Sequence, residues 1–178
     1  MSIVNTFSLQ SNRQIKINFD GGDLSSDAGL LLIKEFAAKI GFTKLIKKKF
    51  KTNDKSIRFH KDHENLLQMI YQIISAYFQD DCADELTLDP VFNVILDKES
   101  LALQPTLSRF FNRMDEDTLV QFDDIDKNLR DTIYSIKRPE HVLLALDSTL
   151  FGTYGRQEGE GFNFHYQAHG IHYYAMTD

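Results

Sequence analysis

A chain of 178 residues with 42% hydrophobic and 26% charged side chains has an ordinary globular composition, and is long enough for one good core or for a small domain plus part of another. No apolar run approaches about 18 residues, and the N-terminus lacks a basic start followed by an apolar stretch, so neither a membrane span nor a secretory leader is expected. One cysteine, Cys82, excludes an internal disulfide and a cysteine-based zinc site, and the cytoplasm is the expected compartment.

The net charge of −6 hides an asymmetry. Between Lys44 and Lys61 lie eight basic side chains against Asp54 alone, a net +7, whereas the remaining 12 basic and 25 acidic residues leave −13. A concentrated basic stretch on an acidic chain points to a polyanion partner; its plainer reading is a solvated helix face.

In chain order, "RQIKINFDGG" alternates Ile15, Ile17 and Phe19 and reads as a short strand stopped by Gly21 and Gly22. "SSDAGLLLIKEFAAKIG" carries caps, an apolar helical run and Gly41 as a stop, and "FTKLIKKKF" reads as a short basic helix. "HENLLQMIYQIISAYFQ" is the strongest helix signal, with Leu66, Ile70, Ile73, Ile74 and Tyr77 as its expected inner face. Pro90 and Pro105 each suit the start of a further helix, and Asp115 to Ile136 reads as another. After Pro139 the period changes: "HVLLAL" is an apolar run of strand length and "HYYAM" a second candidate. The expected division is a helical domain over 1–138, followed by a strand-bearing segment over 139–178.

Three constellations could carry chemistry. In "LLALDST" a buried strand ends on Asp147, a placement that suits a rigidly held ligand for a hard cation such as Mg²⁺; an ordinary turn is the alternative. In "PTLSRFFNR" the residues Leu107, Phe110, Phe111 and Met114 form the expected buried stripe. Ser108, Arg109, Asn112 and Arg113 are left on the wet face, suited to phosphates and base edges, or to the acids of residues 115 to 126. Preceded by "DPVFNVIL", this helix could be the second of a helix-turn-helix. In "FHYQAHGIH" the spacing of His165, His169 and His172 is a poor zinc comb, because Gly170 and the aromatics favour strand and turn. The glycines at 152, 155, 159 and 161 lack the Gly-Lys-Ser/Thr of a phosphate loop and suit a hairpin that lets Arg156 and Gln157 approach a ligand; Cys82 reads as a core filler.

The blocks "LSSDAGLLLIKEF", "YFQDDCADELTLDPVF", "LALQPTLSRFFNR" and "LLALDSTLFGTYGRQEG" with "FNFHYQAHG" resemble, in order, the DDE-type transposases of bacterial insertion sequences, in the branch called transposase DDE domain group 1. The resemblance implies a mostly α-helical N-terminal DNA-binding domain followed by the first strands of an RNase H-like α/β catalytic domain. It implies terminal inverted repeats as the DNA partner, and Mg²⁺, with Mn²⁺ as a substitute, as cofactor for strand cleavage and transfer. Asp147 matches the first acid of the Asp-Asp-Glu set and is the expected catalytic and metal-binding residue. The expected DNA contacts are Lys47, Lys48, Lys49, Lys51, Arg109, Asn112, Arg113 and Arg156. A second copy or a full-length transposase is the expected protein partner, and no membrane is expected.

The chain also departs from the family pattern. "GIHYYAMTD" differs from the usual "GYHPL" run, and the second and third acids are missing, so a truncated, catalytically incomplete copy that still binds DNA is expected, with Asp147 as a lone metal ligand whose ion need not be bound in the fragment. Were "HYYAMTD" antiparallel to "HVLLALD", Asp178 and Asp147 would sit at opposite ends of the pair, roughly 20 Å apart, and could not share a site. The alternative is a non-catalytic DNA-binding or regulatory remnant.

Overall fold

The computed structural model describes residues 6–19, 25–79, 81–143, 145–155 and 157–177. The chain forms two compact units, Met1–Ile136 and Lys137–Asp178. Among the described residues there are seven helices and two small antiparallel sheets, and no helix is long and apolar enough to cross a membrane.

The first unit opens with a two-stranded hairpin, β1 (Thr6–Ser8) and β2 (Lys16–Asn18), paired with Phe7 opposite Ile17. β1 has no counterpart in the sequence reading. Helix α1 (Leu30–Lys39) passes into α2 (Phe42–Lys49) through Gly41, whose φ of +73° lets the chain turn at once without the strain a Cβ would bring. Then follow α3 (Asp62–Ile74), α4 (Cys82–Leu86), α5 (Pro90–Leu96), α6 (Gln104–Phe111) and α7 (Glu116–Ile136). Pro90 is the first residue of α5, and the Asp89 carboxylate caps that helix by accepting from the Val91 amide at 2.7 Å. Asp115 and Thr118 cap α7 reciprocally, each accepting the other's amide through its side chain, at 2.8 and 3.0 Å.

Two apolar clusters fill this unit. Leu30, Leu31, Tyr71, Phe92 and Ile95 join α1, α3 and α5, whereas Ile46, Phe50, Leu66, Phe110 and Ile125 join α2, α3, α6 and α7. Helix α3 thus runs through both, but on a face rotated from the expected one. It buries Asn65, Gln68 and Gln72 alongside Leu66, Leu67 and Tyr71, and leaves Ile73 and Ile74 half exposed. The polar face is held inward because Gln68 bridges an extended backbone segment: its amide donates to the Ala102 carbonyl and its carbonyl accepts from the Ala102 amide, both at 2.8 Å. A similar correction applies to α6, where Leu107 and Phe110 are fully buried but Phe111 is 47% exposed. Nor do α5 and α6 form a helix-turn-helix. Seven residues, 97–103, separate them where that motif has three or four, and α6 packs on α3 and α4.

The second unit is a three-stranded antiparallel sheet of order β3-β5-β4, built from β3 (Ala145–Gly152), β4 (Gly161–Asn163) and β5 (Ala168–Thr177). The strand expected over "HVLLAL" is displaced toward the C-terminus, and Val142 and Leu143 lie before it, exposed. Gly155 and Gly159 take positive φ in the turn between β3 and β4. Gly170 stands in register with Gly152 on one side and Gly161 on the other. A Cβ there would lie 2.3 Å from the Phe151 carbonyl oxygen, so only glycine lets the central strand approach that closely.

Replacing Gln68 with Ala strands both backbone groups of Ala102 in the core. The variant is expected to lose about 3 kcal/mol of unfolding free energy in urea titration, near the sum of two orphaned groups less the relief of reorganisation. A loss under about 0.5 kcal/mol, the level of a surface change, would show that the bridge does not hold α3.

Candidate nucleic-acid interface

Asp62, the first residue of α3, ties three segments together. Its Oδ2 accepts from the Thr52 hydroxyl at 2.6 Å and from the Thr52 amide at 3.3 Å. Its Oδ1 accepts from Arg113 Nη2 at 2.8 Å and lies 3.7 Å from Arg58 Nη1. Arg113 turns back on its own helix end, donating through Nη1 to the Arg109 carbonyl at 2.9 Å, with its guanidinium 5.6 Å from the Phe110 ring centre. The loop after α2, the start of α3 and the C-terminal turn of α6 therefore meet at one end of the helical unit.

The loop itself is held from both sides. Phe50 stacks edge-on against Phe110 and tilts onto Phe122 of α7. The backbone of Lys51 is gripped by Gln121, whose carbonyl accepts the Lys51 amide at 2.9 Å and whose amide donates to the Lys51 carbonyl at 3.1 Å. Asn53 donates to Asp115 at 2.5 Å. Asp54 accepts from the Ser56 hydroxyl and amide and pairs with Arg58, which together hold its carboxyl at about 2.

At Asp62 burial opposes ionisation, but the Thr52 hydroxyl and the Arg113 guanidinium outweigh it and hold the carboxyl below its ordinary value. His63 next to it is shifted the other way in charge: burial, with Lys47, Lys61 and Lys98 nearby, lowers its pKa and favours the neutral ring. Positive charge at this end comes from lysines and arginines alone.

The candidate residues divide by what they already hold. Lys47, Lys48 and Lys51 are exposed and make no ion pair among the described residues. Lys49 is engaged with Asp124 at 2.5 Å. Arg109 and Asn112 are exposed at the C-terminal end of α6. Arg113 is a correction to the wet-face reading: its side chain is only 15% exposed because Asp62 draws it inward. Arg156 lies outside the described residues. Asp62 itself was missed, since an aspartate opening a helix looks like an ordinary first-turn acid; its partners stand 10 and 51 positions away in the chain. Lys55 and Lys61 of the same basic segment are exposed at this end as well.

In the second unit the three histidines do not converge. His169 stands opposite Phe162 in register, His172 lies three residues on and contacts Asn163 at 2.9 Å, and His165 is in the turn, so strand alternation puts His169 and His172 on opposite faces. No group of three metal-ligating side chains occurs among the described residues. Cys82 is half-buried rather than a core filler.

Of Asp147 the structure describes the backbone alone. It is the third residue of β3 and stands opposite Ala175. The strands pair antiparallel as assumed, but with Ala175 rather than His172 opposite Asp147, so β5 continues past Asp147 to Thr177 opposite Ala145; Asp178 lies outside the described residues.

A model of the family described as transposase DDE domain group 1 matches residues 7–175. The chain belongs to the transposase DDE domain group 1 family. No curated protein and no solved structure matches it. Transposases of this kind generally use divalent metal ions, for which a carboxylate such as that of Asp147 is a suitable hard ligand.

Two measurements probe the Asp62 junction. Arg113→Ala removes the closer of two guanidiniums from a nearly buried carboxylate, leaving Arg58 at 3.7 Å, and is expected to cost about 2 kcal/mol of stability. The stability supplied by ionised Asp62 is fully present above its unfolded value of 3.8 and is lost as pH falls through its lower folded value. Asp62→Asn should accordingly lose stability less steeply than the unmodified protein on acidification below about pH 4, as read by urea unfolding across a pH series. Parallel curves would show that the carboxylate is not held ionised by its partners.

Proposed function

We propose that this member of the transposase DDE family grips DNA with the basic end of its helical unit, and that residues 139–178 open an RNase H-like catalytic domain with Asp147 as the first acid. The observation that carries the reading is the meeting, at Asp62, of two stretches far apart in sequence. Lys47, Lys48 and Lys51 come from the first, Arg109 and Asn112 from the second. Lysines suit phosphate oxygens as point charges, and an arginine beside an asparagine suits base edges. Family membership supports DNA as the polyanion, with the terminal inverted repeats of an insertion sequence as the specific target. Lys49 and Arg113, engaged with Asp124 and Asp62, serve as positioning residues in this reading.

Residues 1–178 by themselves are proposed to bind DNA without transferring strands, because the family's Asp-Asp-Glu set is matched here by Asp147 alone. A second copy or a longer transposase would be the protein partner.

Binding to a labelled duplex, followed by fluorescence anisotropy over a range of salt, tests the proposal. Affinity should fall log-linearly with salt, with the slope shallower by about 0.9 for each phosphate contact removed in Lys47→Ala, Lys48→Ala or Lys51→Ala. Incubation of an inverted-repeat duplex with Mg²⁺ or Mn²⁺ should leave it intact. Site-specific nicks that vanish in Asp147→Asn would overturn the non-catalytic part, and salt-independent or absent binding the rest.

A further inference from the structure

Between the loop 50–58 and the first turn of α3 lies a surface cavity of about 220 Å³, lined by Lys51, Lys55, Ser56, Arg58, Lys61 and His63 together with Asp54 and Asp62. Its two acids are already engaged: Asp54 with Ser56 and Arg58, Asp62 with Thr52 and Arg113. Arg58 is likewise committed to these acids. Lys51, Lys55 and Lys61 remain exposed, with no ion pair among the described residues. Four cationic lining residues against two carboxylates, with a histidine held neutral, leave a surplus of two positive charges.

The three lysines spring from fixed backbone. Lys51 is held at both amide and carbonyl by Gln121, Lys55 lies inside the turn closed by Asp54 and Ser56, and the Lys61 amide donates to Glu64 at 3.1 Å at the start of α3. A site whose backbone is ordered before binding loses less entropy when an anion arrives. Neutralising Asp54 and Asp62 locally, rather than through these lysines, keeps the lysines available.

We propose that this cavity is a seat for one phosphodiester of the DNA backbone, with Lys51, Lys55 and Lys61 as its cationic walls. The inference rests on the reading that the basic end binds DNA, and it adds Lys55 and Lys61, which the sequence reading did not select. Contacts to phosphate carry no base information, so the seat sets register and affinity and is indifferent to sequence.

The test uses the full chain and two short labelled duplexes of unrelated sequence, titrated across a salt series. The double variant Lys55→Ala/Lys61→Ala should make the log–log salt slope shallower by about 0.9, the contribution of the one phosphate the cavity seats, equally on both duplexes. Lys127→Ala, at an exposed position of α7, should leave the slope unchanged. Thermal unfolding of the double variant should match the unmodified protein, since neither side chain is buried. If the unmodified protein binds with salt dependence while the double variant keeps its slope, the seat is refuted and the DNA-binding reading stands. A loss confined to one duplex would also refute it, because that is base reading. If the unmodified protein shows no salt-dependent binding, both fall together.

Discussion

A single carboxylate, Asp62, holds the basic end of the helical unit in shape. It receives Thr52 from the loop after α2 and Arg113 from the end of α6, so that two positively charged segments sit side by side. Two cationic segments brought together repel, and the arrangement needs a buried anion between them. Asp62 meets that need because its partners outweigh the burial that would otherwise protonate it.

The same economy of acids recurs around the interface. Asp54 locks the Ser56 turn, Asp115 takes Asn53, and Asp124 takes Lys49. Each carboxylate engages a turn, a neutral amide or one selected cation and leaves the other lysines outward. An acidic protein can thereby present a locally cationic surface, since the acids at this end are engaged with other groups while Lys47, Lys48, Lys51, Lys55 and Lys61 stay exposed. Helix α3 is the pillar for this arrangement, and the amide bridge from Gln68 to Ala102 sets its rotation.

The strand unit is governed by a different constraint. Gly152, Gly170 and Gly161 line up across three strands, and the close approach at Gly170 fixes the register. That register sets Asp147 opposite Ala175, three residues into its strand rather than at its end.

The sequence by itself determined much of this protein. Gly41, Pro90 and the Asp115–Thr118 pair mark helix ends through local backbone chemistry, which acts within a few residues and is readable without a fold. The basic stretch Lys44–Lys61 and the ordered motif blocks that led to the family were equally legible. Only the tertiary structure decided which charges remain available: Arg113 and Lys49 are matched to acids 51 and 75 positions away. It also decided that α3 buries amides and exposes isoleucines, because hydrogen bonding to a distant backbone segment outweighed apolar periodicity. The strand register around Asp147 was hidden for a similar reason. Alternation says which residues share a face, but a steric contact across strands, at a glycine, decides which residues stand opposite each other.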